Sequence, residues 1–436
     1  VKVMKLGEDK TLDGIMRLVD DAQSSKYNVE VLEDKEAFAL TIIAIATSII
    51  TFIYWLVTKD AAFALERSVT VLIIACPHAL GLAVPLVVSI STTISARNGL
   101  LVRKRLALEA ARMLDWVLFD KTGTLTKGEH GVTDIWATKG YTKEDILHLT
   151  ASLEQNSEHI VGKGIVSEAQ KKHVHLDKVE DFSAIPGLGV KGKLHGHDNF
   201  VAASYRYIKE NKLKVPADIE RYSKQAAKDG KTEVYLIKDG KVVIGAIALA
   251  DVVREQSKQT IAALKAEGIK TAMVTGDSQD VAAYVAKQLG LDQYFAEVRP
   301  EDKANKVKEL QKTGSKVAFV GDGINDAPAL TTADIGMAIG AGTDVAIKSA
   351  DIILVKSDPR DVIKVIHLSK ATYRKMTQNL IWATGYNVVA IPLAAGVLYS
   401  SGILLSPAVG AVLMSLSTVI VAINAQLLRR VNLKGV

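Results

Sequence analysis

The sequence predicts a multidomain membrane protein: α-helical transmembrane hairpins plus an α/β domain built on a doubly wound parallel sheet, with an inserted α+β domain. Three observations predict it. Long uncharged runs stand near both ends of the 436 residues. Between them, short apolar runs that close on Asp or Gly, such as "WVLFD", "TAMVTGD" and "KVAFVGDG", alternate with helix-like stretches at Ser278 to Leu289 and Pro300 to Lys312, the pattern of a parallel sheet covered by helices. A stretch of different character, residues 128–248, interrupts that alternation, with a hairpin signal at "LIKDGKVVIG" where Asp239 and Gly240 make the turn.

The membrane segments come first. Ala37 to Val57 carries no charged residue, and at about 1.5 Å per residue such a helix covers a hydrocarbon layer of about 30 Å. After the break "TKD" a second uncharged run extends from Ser68 to Ala96. A third, Met376 to Leu428, is too long for one crossing and breaks at Ser400 to Gly402, giving four helices in two hairpins. Arg97, Arg103, Lys104 and Arg105 follow the first hairpin, Arg374 and Lys375 precede the second, and Arg429 and Arg430 follow it. Positive flanks of this kind mark the cytoplasmic side, so the block between the hairpins is expected there.

Composition narrows the function classes. The formal charge is +6 and the pI about 9.0, but the basic residues are dispersed without aromatic interleaving, which argues against a nucleic-acid partner. Cys76 is the only cysteine, which excludes an internal disulfide and a CxxC metal module.

Asp120 closes the apolar run "VLF" and is followed by "KTGT", so its carboxylate is expected at the carboxyl end of a buried strand beside a glycine turn, where open α/β sheets bind ligands. That placement suits a nucleophile. A carboxylate attacking a phosphoryl group needs a metal to offset charge, a cation on the phosphate and donors around its oxygens. Thr275 and Gly276 in "TGD" offer a hydroxyl and an amide, Lys303 in "RPEDK" offers the cation, and Asp322 and Asp326 in "GDGIND" offer hard oxygen ligands for Mg²⁺.

In the membrane, "IACPHALG" sets Cys76, Pro77 and His78 inside an uncharged run. Proline there removes a helical hydrogen bond and frees backbone carbonyls. A thiolate and an imidazole two residues apart select copper, silver or zinc over sodium or calcium.

The order of these motifs resembles the haloacid-dehalogenase superfamily, and "DKTGTLT" with "GDGINDAPAL" resembles its ion-pumping branch, the P-type ATPases. With "CPH", the chain is similar to the heavy-metal-transporting members, in particular the copper-exporting subclass. The resemblance implies a haloacid-dehalogenase-like phosphorylation domain with an inserted nucleotide-binding domain. It implies that ATP phosphorylates Asp120, that Mg²⁺ is held by Asp120, the Thr122 carbonyl and Asp322, that Asn325 contacts the phosphoryl group, and that Lys121 and Asp277 complete the catalytic set. "NLIWATGYN" and "MSLST" match the subclass as well, implying Tyr386, Asn387, Met414 and Ser415 beside Cys76 and His78 around the transported ion, expected to be Cu⁺ with Ag⁺ or Cu²⁺ as alternatives. "SEH" and "PGLGV" resemble the nucleotide-contacting residues, implying Glu158, His159, Gly187 and Gly189 around ATP, although Ile160 stands where the family carries proline. Asp251 in "ADVVRE" is similar to the hinge between the two cytoplasmic domains.

The resulting expectation is an actuator-domain tail and linker at 1–35, a metal-site hairpin at 36–96, a linker helix and the first part of the phosphorylation domain at 97–127, the nucleotide domain at 128–248, the second part of the phosphorylation domain at 249–373, and a hairpin at 374–430. The function expected is ATP-driven copper export across a membrane, expected to be the prokaryotic plasma membrane, with the lipid bilayer, the heavy-metal ion and a candidate cytosolic metal donor as partners. The family's "TGE" loop occurs nowhere in the sequence, while Leu6 to Lys26 resembles the tail of the actuator domain that carries it. An N-terminally truncated chain that is phosphorylated but does not turn over is therefore expected. The alternatives are a membrane-anchored phosphatase of the same superfamily and a turnover-incompetent fragment that binds metal or nucleotide. Thr122, in place of the phosphatases' second acid, argues against the former. A dinucleotide site at Gly187, Gly189 and Gly192 is disfavoured because "VKGKL" reads as a strand. His173 with His175, and His195 with His197, read as solvated strand residues.

Overall fold

A computed structural model describes residues 28–157, 159–194, 198–229, 231–322, 324–340 and 348–433. The segment that resembles the actuator tail, Glu158, and the His195 and His197 pair lie outside them.

From the N-terminal side, helix α1 (Asn28–Thr58) turns at Lys59 and Asp60 into α2 (Ala61–Ile74). The turn is where "TKD" places it, because Asp60 caps α2 by accepting the Phe63 amide at 2.9 Å. The run from Ser68 to Ala96 is not one helix. It stops at Ile74, resumes as α3 (Leu80–Ala83), and resumes again as α4 (Pro85–Arg97). Pro77 and Pro85 each lack the amide that would close a turn behind them, which is the physical reason for both interruptions. Near the other end, α12 (Asp361–Ala395) and α13 (Pro407–Gln426) are joined through a tight turn at Tyr399–Ser401. Among the described residues three helical segments are long and apolar enough to cross a membrane: Glu33–Thr58, Leu80–Arg97 and Pro407–Arg430. The fourth expected crossing falls in α12, whose buried Asn379 and Asn387 make it more polar than the others.

Thirteen strands are described in two sheets. They are β1 (Leu100–Val102), β2 (Trp116–Asp120), β3 (Thr126–Ala137), β4 (Glu180–Ile185), β5 (Gly189–Leu194), β6 (Asp198–Ala203), β7 (Thr232–Lys238), β8 (Val242–Val253), β9 (Lys270–Val274), β10 (Gln293–Phe295), β11 (Val317–Gly321), β12 (Ile335–Ile339) and β13 (Ile352–Leu354). The first sheet runs β1-β13-β12-β11-β2-β9-β10. The pairs β2–β9, β9–β10 and β12–β13 are parallel, as expected, but β1 lies antiparallel to β13 and makes the sheet mixed. By internal contacts the chain forms two compact units, 1–114 with 316–318 and 330–436, and 115–315 with 319–329.

In the second unit, α8 (Glu255–Ala266), α9 (Gln279–Leu289) and α10 (Lys303–Gln311) alternate with the strands, and each buries one apolar side, as Ile261 and Leu264 of α8 show; the short α11 (Ala327–Thr332) follows β11 further along the chain. The inserted region folds as a six-stranded antiparallel sheet, β3-β8-β7-β6-β5-β4, with α5 (Lys143–Glu154) and α6 (Ile160–Lys171) on one face and α7 (Ala217–Lys228) on the other. Both faces are covered, so β7 reads as the unbroken apolar run "VYLI": Val234 and Leu236 join Ile146, Leu153 and Ile165, whereas Tyr235 and Ile237 join Ile208 and Ile219. Asp239 and Gly240 take φ of +52° and +66°, which fits the tight β7–β8 turn.

Replacing the fully buried Leu236 with Ala removes the centre of that core. It should lower the stability of the inserted domain by about 2–5 kcal/mol, read as a shift in its urea midpoint with little change in slope.

Candidate active site

β2 ends at Asp120, and the chain then turns sharply. Thr122 (φ −76°, ψ 130°) and Gly123 (φ +76°, ψ −20°) make the turn, the second position demanding glycine. Glycine is required for a further reason: a Cβ on residue 123 would stand 1.9 Å from Asp322 Oδ2. The loop after β11 therefore rests directly on the loop after β2.

Asp120, Asp322 and Asp326 each present a carboxylate oxygen within 4.8 Å of the others, and among the described residues they form the one such group of three or more His, Cys, Asp or Glu side chains. Lys303, first residue of α10, reaches in and donates to Asp120 Oδ1 at 2.6 Å and to Asp326 Oδ1 at 2.7 Å. Burial and then the Asp326 charge push the Asp120 carboxyl up to about 7, against the opposing pull of Lys303. Asp322 is raised as well, chiefly by burial and then by Asp326. The donors in this group are carboxylate oxygens, the chemistry Mg²⁺ prefers, so the residues present fit that ion.

A second layer fixes the loops. Lys121 donates to Asp277 at 2.8 Å and lies 3.3 Å from Asp251. The Thr126 hydroxyl lies 2.6 Å from Asp251. Arg254 donates to the Gly123 and Thr126 carbonyls at 3.0 and 2.9 Å. Thr275 is buried, and its hydroxyl accepts the Asp277 amide at 3.1 Å. Thr122 and Asn325 are exposed.

In the inserted domain a cavity of about 510 Å³ is lined by His159, Gly187, Gly189 and Glu154 together with apolar wall residues such as Ile185 and Val190. Gly189 is forced: a Cβ there would meet the Ala202 carbonyl oxygen at 2.1 Å. The Glu154 carboxyl is buried, and burial raises it above the usual carboxylate range.

In the first unit the helix interruption leaves Cys76 and His78 exposed and α12 beside it. The Tyr386 hydroxyl donates to the Ile74 carbonyl at 3.0 Å, just before the break. Asn387 Oδ1 is buried with no hydrogen-bond partner. Met414 is half-buried on α13, and the Ser415 hydroxyl donates to the Ala411 carbonyl at 2.9 Å.

The family model for haloacid dehalogenase-like hydrolases matches residues 114–334. A copper-exporting P-type ATPase B of Archaeoglobus fulgidus is 54% identical over 98% of this chain and 61% of its own length, and one of Enterococcus hirae is 45% identical over 98% and 57%. The crystal structure of a zinc-transporting PIB-type ATPase in the E2.Pi state superposes with a TM-score of 0.80 at 30% identity, covering 98% of this chain and 68% of that one. The chain belongs to the heavy-metal P-type ATPases. It spans about three fifths of the length of the two copper ATPases.

For a heavy-metal P-type ATPase sequence, motif reading brings together Asp120, Lys121, Thr275, Asp277, Lys303, Asp322 and Asp326, and the structure sets all of them in one region of the second unit. Lys303 pairs with both Asp120 and Asp326, at 2.6 and 2.7 Å. Two residues escaped motif reading. Arg254 stands within "ADVVRE", but only its side-chain bonds to the Gly123 and Thr126 carbonyls reveal a role. Glu154, five residues before His159, lines the cavity; its signal was a carboxylate on the apolar face of a helix, between the buried Leu153 and the turn.

The raised Asp120 value sets a pH dependence. Between the ordinary carboxylate range and about pH 7 the folded protein holds a proton that the unfolded chain releases, so stability falls as the pH rises across that window and levels off above about 7, unless a cation takes the proton's place. Mg²⁺ should therefore bind roughly tenfold tighter at about pH 8 than at about pH 6, with proton release. Titration calorimetry in buffers of different ionisation enthalpy checks this, and in Asp120→Asn the dependence should flatten.

Proposed function

We propose that the chain performs the phosphorylation and ion-binding steps of ATP-driven copper export. Asp120 attacks the γ-phosphorus of ATP; the new Oδ–P bond forms as the bond to the ADP oxygen breaks, leaving an aspartyl phosphate and ADP. The observation that carries this reading is the buried Asp120 carboxylate, 2.6 Å from the Lys303 ammonium and within 4.8 Å of two further carboxylates.

Each side chain then has work to do. Lys303 balances charge on Asp120 and on the incoming phosphoryl oxygens, and Asp326 keeps the ammonium in place. Thr275 and Gly276 donate to the equatorial oxygens, with Asn325 as a further contact. Asp120, Asp322 and the Thr122 carbonyl would hold Mg²⁺, which supplies neutralisation of the transferring group when bound. Lys121, through Asp277 and Asp251, orients the loops. His159, Gly187, Gly189 and Glu154 receive the adenosine part of the nucleotide, the glycines allowing close approach and Glu154 offering an acceptor to an amino or hydroxyl group.

The transported ion is Cu⁺, with Ag⁺ or Cu²⁺ the other candidates, bound by Cys76 and His78 with Tyr386, Asn387, Met414 and Ser415. The unpartnered Asn387 oxygen supports this reading, as do the soft thiolate and thioether. The relatives named above are copper exporters of an archaeon and a bacterium, which supports a prokaryotic plasma membrane; a cytosolic metal donor is the candidate soluble partner.

Acid-stable labelling from γ-labelled ATP should vanish in Asp120→Asn, with nucleotide binding retained. In Cys76→Ser, labelling should persist but lose its Cu⁺ dependence. Undiminished labelling of Asp120→Asn overturns the reading.

A further inference from the structure

The interrupted helix is held at both edges by a single partner. On the outer side Tyr386 donates to the Ile74 carbonyl at 3.0 Å, and on the inner side the Asn379 amide donates to the Ala83 carbonyl at 2.8 Å. Both donors belong to α12 and stand seven residues apart, about two turns, so they lie on one face roughly 10 Å apart along the axis. α12 thus acts as a splint across the segment that carries Cys76 and His78.

The inner clamp is itself held. Asn379 is fully buried. Its Oδ1 accepts the Asn424 side-chain amide at 2.8 Å, and Asn424 Oδ1 accepts the Lys375 ammonium at 2.7 Å. An ammonium only donates and a peptide carbonyl only accepts, so the two ends of this chain fix the orientation of both amides between them. Turning either amide over would break two bonds, one of them inside an apolar environment where it is costly. Lys375 and Asn379 are one turn apart on α12, and Asn424 is on α13, so the chain ties three helices together. Around it Val84, Val87, Met376, Ala425 and Leu428 pack as an apolar cluster.

We propose that Lys375 and Asn424 are positioning residues for the transported ion: they hold the Asn379 amide in the orientation that clamps the Ala83 carbonyl, and so set the geometry of the Cys76–His78 segment. This rests on the reading of that segment as the ion site. Neither residue touches the ion. Lys375 acts through its hydrogen bond, so its replacement by arginine, which also only donates, preserves the effect, whereas methionine, of similar length, abolishes it.

The test is Cu⁺ affinity of the whole chain in lipid nanodiscs, by competition with a chromophoric Cu⁺ chelator, together with MgATP affinity of the same samples. Lys375→Met and Asn424→Leu should each weaken Cu⁺ binding by about tenfold, and the double variant should be no weaker than the worse single one. Lys375→Arg should remain near the parent value, and MgATP affinity should be unchanged in all. Parent-like Cu⁺ affinity in Lys375→Met overturns the proposal, as does equal weakening in Lys375→Met and Lys375→Arg, or additive loss in the double variant. Cys76→Ser separates the two levels. Unchanged affinity there removes the ion-site reading and this proposal with it, whereas lost affinity there with a parent-like Lys375→Met removes this proposal alone.

Discussion

Three carboxylates, Asp120, Asp322 and Asp326, share one corner of the first sheet with the Lys303 ammonium. Burial first, and then the repulsion of the Asp326 charge, raise the Asp120 carboxyl to about 7. The corner is stable when a cation, a proton or a divalent metal completes it. On the proposed reading, that dependence makes Asp120 available as the nucleophile when Mg²⁺ is present, and it places a phosphoryl group where its charge is already matched.

Everything near this corner serves to hold the acids against their repulsion. Val117 to Phe119 of β2 and Val317 to Val320 of β11 are apolar and fully buried, so the two strands cannot slide to relieve it. Gly123 lets the two loops touch, since any side chain there would displace Asp322. Arg254 and Lys121 fasten the same loops from behind with bonds to backbone carbonyls and to Asp251 and Asp277. In the membrane-spanning part the logic is opposite in sign. There the backbone is interrupted so that carbonyls and a thiol become available, and α12 supplies the donors that keep the interruption from being costly.

How legible this was follows from the kind of signal. Asp120, Lys303 and the "GDGIND" acids were readable because phosphoryl chemistry needs those residue types at strand ends. The strands "WVLFD" and "KVAFVGDG" were readable because buried parallel strands are continuous apolar runs. β1, of three residues, was not, since so short a segment has no periodicity and owes its strand to pairing with β13. The helix break was anticipated at Pro77, whereas the second break at Pro85 was not, because proline is equally at home in the first turn of a helix. Glu154 was passed over since nothing in its neighbours marks a pocket; the cavity comes from residues such as Ile185 and Ala202 that are distant in the chain. The Asn424–Asn379 bond joins helices 45 residues apart and has no local pattern at all.

The inserted domain leaves and rejoins its host at one place. Thr126 and Val253 are paired across β3 and β8, and Arg254 bonds back to the Leu125 carbonyl at 3.0 Å. The two crossings therefore stand about 5 Å apart, the spacing of the ends of an ordinary hairpin. A stem that narrow is sterically equivalent to a short turn, so the host sheet is topologically complete without its guest. Such a module can be enlarged or exchanged while the acidic corner of the host sheet stays as it is.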